Sequence, residues 1–167
     1  MRILGIDPGI SVTGWGVVEA EGDSLRHLDA GTIHPARSEG FPGALKKIYE
    51  GLEEVIKRYS PQEAAVENIF YAKNARAALV LGHARGAALL SIANAGLELH
   101  EYTPLEIKKA LVGYGGAGKE QVKVMVKSLL HLTGDCEDHS SDALAVAICH
   151  IHSSNFRKKI SGCSSGA

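Results

Sequence analysis

Arg2-Ile3-Leu4-Gly5-Ile6-Asp7-Pro8-Gly9 decides how this chain is read. A strand-like opening ends on a carboxylate, and Pro8-Gly9 then turns the backbone. The pattern places Asp7 at the tip of a buried strand. Two further acids stand in comparable settings. Glu67 closes the apolar run Ala64-Ala65-Val66, and Asp142 sits at the start of the apolar helical stretch Ala143 to Ile148. Three carboxylates at the ends of three elements can converge on one point and hold divalent metal.

Outward from that opening, residues 2–7, 12–19 and 27–34 read as three strands with short turns between them, which favours an antiparallel meander. Leu45, Ile48, Leu52, Val55, Ile56 and Tyr59 recur at helical spacing and predict a helix over about 41–59. A strand at 63–68 follows. Residues 75–95 form an alanine-rich helix whose Gly82, Ala84, Gly86, Ala87 and Ala88 permit close backbone approach. A short strand at 97–102 leads to Thr103-Pro104, an N-cap with proline at the first helical position. Helices are then expected at 104–111, around Val122 to Leu130 and from His139 to His152, with the glycine-rich loop 113–118 between the first two. The Ser-, Gly- and Lys-rich tail is expected to fray, so the domain spans 1–153 and the flexible segment 154–167. This order predicts an α/β fold of ribonuclease H-like class. Its mixed five-stranded sheet has the first three strands antiparallel and helices on both faces.

A chain of 167 residues with 45% apolar content makes one domain with a core of its own. No uninterrupted apolar run reaches bilayer length and no leader pattern opens the chain, so neither membrane nor secretion is expected. Cys136, Cys149 and Cys163 lack metal-ligand spacing, and reduced thiols in a cytoplasmic protein are the simplest reading. The net charge of −1 gives no sign of a polyanionic partner, yet local charge does. Between Lys73 and Lys127, eight basic residues face only four acids: Glu98, Glu101, Glu106 and Glu120.

Each acid has an ordinary alternative. Asp7 suits a turn, and Asp142 complements a helix dipole. Glu67 is harder to place, because a charge in a buried strand is costly unless paired or metal-bound. Either Asp138 or His139 shares a helix face with Asp142; oxygen ligands favour magnesium, whereas a histidine adds affinity for manganese.

Four stretches, Gly5-Ile6-Asp7-Pro8-Gly9, Val66-Glu67-Asn68-Ile69-Phe70, Ala72-Lys73-Asn74-Ala75 and Ser141-Asp142-Ala143-Leu144-Ala145, resemble the RuvC-type Holliday junction resolvases in order and spacing. The similarity runs over about residues 1–152. It implies a homodimeric endonuclease that cuts four-way DNA junctions by paired symmetric nicks in recombination and repair. By position, its catalytic and metal-binding residues are Asp7, Glu67, His139 and Asp142. The chain departs from the family at His139, where aspartate is frequent, and Asp138 stays the alternative ligand.

The resemblance further implies two Mg2+ ions per site, with Mn2+ able to substitute, and a branch-migration helicase complex as partner. Two ions about 3.5–4 Å apart clamp the attacking and leaving oxygens of a phosphodiester displacement. DNA contacts are expected from Phe70, Tyr71, Lys73, Arg76, Lys108 and Lys119, with an aromatic at Phe70 helping to open base pairs. The helix over 75–95 is the candidate dimer interface. Competing readings are an RNA-processing nuclease of the same fold, a fragment of an actin-like kinase and a catalytically dead junction binder. The kinase needs two large domains, and the dead binder conflicts with four chemically competent groups.

Overall fold

Alternating side chains send Ile3 to one face of a sheet and Leu4 to the other, and both are fully buried. That double burial makes β1 (Arg2–Asp7) the central strand of the computed structural model, which describes residues 1–22, 24–68, 74–134 and 136–163, the last eight by backbone alone. β2 (Thr13–Glu21) and β3 (Ser24–Ile33) continue from it as an antiparallel meander. β4 (Glu63–Glu67) pairs parallel with β1 on its other side, and β5 (Glu98–Tyr102) pairs parallel with β4. The strand order is β3-β2-β1-β4-β5. The mixed sheet with an antiparallel first half is as the sequence predicts.

Helices cover both faces. On one, α1 (Gly40–Tyr59) and α2 (Ala75–Asn94) bury Ile48, Leu52, Ala84, Ala88 and Ile92 against Leu4, Ile6 and Val66. On the other, α3 (Pro104–Val112), α4 (Lys119–Leu129) and α5 (Asp138–Cys163) bury Ile107, Val126, Leu144 and Ile148 against Ile3, Val18 and Ala65. Thr103 caps α3 reciprocally with Glu106, with Pro104 in the first turn. By length and composition α2 is apolar enough to cross a bilayer. Arg76 and Arg85 interrupt it, however, and its inner residues pack on α1 and the sheet as in a globular outer layer.

Two boundaries differ from expectation. The β2–β3 hairpin is longer because Glu19 faces Arg26 in register, and the two side chains are ion-paired. The tail expected to fray from Ser153 is instead helical to Cys163. Ser154 donates back to the Ile151 carbonyl at 3.2 Å and Asn155 reaches the Gly22 carbonyl at 3.4 Å, so these polar residues find partners without ending the helix. Cys136 and Cys149 are free thiols, and burial pushes Cys149 up to about 12.

Candidate active site

The site begins with the packing of α5 on two strands. Gly5 and Gly14 lie on β1 and β2 directly under that helix. A Cβ at Gly5 would stand 2.0 Å from the Ala143 carbonyl oxygen, and one at Gly14 would stand 2.0 Å from that of His139. Only hydrogen fits at either position. Gly14 is the cross-strand partner of Asp7. Close approach of the α5 N-terminus to Gly14 therefore carries its first turn to Asp7.

The turn after Asp7 is braced locally. The buried Thr13 hydroxyl donates to the Gly9 carbonyl at 2.8 Å and accepts from the Gly9 amide at 3.3 Å. On the next strand, Glu67 pairs in register with Tyr102, and the Asn68 amide donates to the Tyr102 carbonyl at 2.7 Å. Parallel pairing of β1 with β4 sets Ile6 beside Val66, so Asp7 and Glu67 emerge at the same carboxyl edge.

Three of the four expected ligands converge closely. His139 Nδ1 lies 2.7 Å from Asp7 Oδ2, and ligand atoms of Asp7, His139 and Asp142 fall within 4.8 Å of one another. Glu67 stands outside that triplet and lines a cleft with Asp142, Lys108, Lys119, Pro104, Ile107, Val122 and Ala145. Asp138 is not one of that triplet. It accepts from Lys123 Nζ at 2.8 Å and lies 3.5 Å from Lys119 Nζ, and the Lys123 hydrogen bond holds its carboxyl below the usual range. Of the two candidates the sequence leaves open, His139 is the one grouped with Asp7 and Asp142, while Asp138 is paired with Lys123 and Lys119.

The electrostatics are those of crowded acids. Burial, more than any neighbour, raises the Asp7 carboxyl above its ordinary range, against the lowering effect of the His139 hydrogen bond. Burial, then the Asp7 and Asp142 charges, push Glu67 up to about 7. A divalent cation relieves both desolvation and repulsion, which is why this donor set fits metal. Lys119 Nζ, 3.1 Å from Asp142 Oδ2, is the nearest positive group that sequence reading had not linked to a ligand.

The other predicted contacts divide. Lys108 and Lys119 flank the cleft, whereas Arg76 is exposed in the first turn of α2 and lies outside the residues lining it. Phe70, Tyr71 and Lys73 fall outside the described residues.

A ribonuclease H-like sheet with acids and a histidine gathered at its carboxyl edge defines a metal-dependent nuclease. The sequence model of one such family, "Crossover junction endodeoxyribonuclease RuvC", matches residues 3–150. The chain belongs to this family. It is 49% identical over 162 residues to the protein of that name from Geobacter sp. (strain M21), covering 97% of this chain and 99% of that one. Identity to the Geobacter sulfurreducens relative is 53% over 153 residues, covering 92% and 93%. The Thermus thermophilus RuvC structure in complex with Holliday junction substrate superposes with a TM-score of 0.89 at 34% identity, covering 93% of this chain and 96% of that one.

Proposed function

We propose that this protein resolves four-way DNA junctions by paired, symmetric, metal-dependent nicks in DNA recombination and repair. The observation that carries the reading is the Asp7–His139–Asp142 triplet, set beside Glu67 in a cleft flanked by Lys108 and Lys119. The junction complex of the Thermus relative supports the substrate. Asp7, Glu67, His139 and Asp142 are the catalytic, metal-holding residues, within a nuclease domain of residues 1–153 followed by segment 154–167.

Asp7, His139 and Asp142 would hold one ion, and Glu67 the second of a pair. Bound Mg2+, or Mn2+ in its place, supplies charge to the phosphate and acidifies the attacking water. The chain's own groups do the rest. The Asp7 carboxylate orients the His139 ring through Nδ1. Lys108 and Lys119 neutralise strand phosphates, and Arg76 extends that contact at the α2 N-terminus. Phe70, Tyr71 and Lys73 complete the contact set, with Phe70 stacking on a base opened near the crossover.

Paired nicks require two sites related by a two-fold axis, hence a homodimer. The outer side of α2 favours that role, because Leu79 and Leu90 are exposed there and open space lies over Gly82 and Gly86. A cytoplasmic location and a branch-migration helicase complex as partner follow from the same family reading.

The test offers a symmetric four-way junction, an RNA–DNA hybrid and a linear duplex to the protein, with magnesium and manganese titrated separately. Point-symmetric nicks in the junction alone are expected. Preferential cutting of the hybrid would replace this reading with an RNA-processing one.

A further inference from the structure

A second titratable cluster sits at the opposite end of β4 from Glu67. Glu63 opens that strand and Glu67 closes it, a separation of about 13 Å along an extended backbone. Glu63, His100 and Tyr102 project from the face covered by α5, since His100 pairs in register with Ala65 and Tyr102 with Glu67. His150 comes down from α5 to meet them. Its Nε2 lies 2.6 Å from Glu63 Oε2, and His100 Nε2 lies 3.1 Å from the same oxygen. The two imidazoles stack at 4.1 Å between centroids.

Hydrogen bonding accounts for His150, whose two ring nitrogens meet Glu63 Oε2 and the Tyr102 hydroxyl, but not for His100. One carboxylate oxygen faces two ring nitrogens, and His100 Nε2 is buried without a hydrogen-bond partner. A buried nitrogen left unsatisfied is costly. Protonating both rings would satisfy the carboxylate but would set two cations face to face. In the tautomer that leaves Nε2 unprotonated, a ring presents a nitrogen lone pair to the cluster beside a carboxylate. That combination is a metal ligand set.

We propose that Glu63, His100 and His150 bind one divalent ion of the zinc class, separate from the catalytic carboxylates. Their ligand atoms lie within 4.8 Å of one another. Two ligands of a tetrahedral zinc, each about 2.0–2.1 Å from the ion, stand roughly 3.3 Å apart, so the observed 2.6 and 3.1 Å need only small adjustment. Two imidazoles and a carboxylate favour zinc over magnesium, which prefers oxygen alone. The Tyr102 hydroxyl, 2.8 Å from His150 Nδ1, fixes the ring as outer partners of ligating histidines do. Glu98 Oε1 is 3.5 Å from His100 Nε2 on an exposed side chain, and can swing in as a fourth ligand. His100 lies on edge strand β5, where its ring can tilt out of the stack to admit the ion. The bound ion ties α5 to β4 and β5 and so secures the helix that carries His139 and Asp142.

Zinc is the probe, added to the full chain carrying Asp7→Asn and Asp142→Asn so that the first cluster no longer competes. With excess magnesium present, equilibrium dialysis is expected to find one zinc per chain, and zinc is expected to raise the melting temperature. Adding His100→Ala or, separately, Glu63→Gln is expected to weaken zinc binding at least tenfold. Cobalt in place of zinc should give the visible absorption of a tetrahedral site, lost in both variants. Absence of bound zinc at micromolar free ion, or zinc held equally well by both variants, overturns the proposal.

Discussion

His139 Nδ1 meets Asp7 Oδ2 at 2.7 Å although 132 residues separate them in the chain. The contact exists because β1 delivers a carboxylate to the sheet edge and glycines in β1 and β2 let the first turn of α5 settle against it. Packing, more than propensity, builds the site.

The glycine at position 14 is therefore predicted to be irreplaceable. Gly14→Ala puts a methyl group against the His139 carbonyl and forces α5 away from β2. A loss of about 1–3 kcal/mol in stability is expected from such overpacking, with a larger proportional loss of cleavage. Urea denaturation and junction cleavage measured together check it. Unchanged cleavage at unchanged stability would mean that the helix has room the structure does not show.

A pH dependence follows from Glu67. Its carboxyl is pushed from an ordinary 4.5 up to about 7, so the folded chain holds this proton more tightly than the unfolded chain. In the absence of metal, that contribution is fully present below about 4.5 and is lost as pH rises through about 7. Glu67→Gln should flatten the decline, removing a loss on the order of 1 kcal/mol after solvent screening. Metal binding runs the other way, because the ligand must be ionised, so magnesium affinity should rise over the same interval. Denaturation in chelator at several pH values reads the first effect and calorimetric magnesium titration the second. Identical stability profiles for wild type and Glu67→Gln would remove Glu67 from this role.

Lys119 pairs with Asp142 and Asp138 in the free protein and has a phosphate in prospect in the complex. Lys119→Ala should weaken junction binding alike across sequences and lower the salt slope by about one. Binding isotherms over a range of salt concentrations decide it. A slope equal to that of wild type would return Lys119 to the role of an intramolecular counter-ion for Asp142.

Histidine at position 139 should tune the metal. His139→Asp replaces an imidazole with a harder oxygen donor and is expected to shift the ratio of manganese to magnesium rates several-fold towards magnesium. Cleavage rates in each metal provide the ratio, and an unchanged ratio would place His139 outside the metal's coordination.

Much of this was legible from local pattern. Periodicity, alanine content and the Thr103-Pro104 cap located the five strands and five α-helices among the described residues but not the short helical turn Arg37–Glu39, and a carboxylate following a buried run marked Asp7 and Glu67. The sequence could not choose between Asp138 and His139, because both share a helix face with Asp142. The pairing of Asp138 with Lys123, fifteen residues before it, was equally out of sight. The glycine seats beneath α5 were invisible for a similar reason, since the Gly14 seat is defined by a carbonyl from the far end of the chain. Glu63, His100 and His150 carry no spacing signal, as they meet only through strand register and the descent of α5. The length of α5 was misread because its serines looked like a tail, whereas Ser154 bonds back to its own helix.

The most direct test of the metal-dependent site is single-turnover cleavage of a symmetric four-way junction by Asp7→Asn in magnesium, with junction affinity measured alongside. The account predicts affinity within about twofold of wild type and cleavage reduced at least a hundredfold, on the order of 3 kcal/mol in the barrier. Cleavage by Asp7→Asn at the wild-type rate would contradict it.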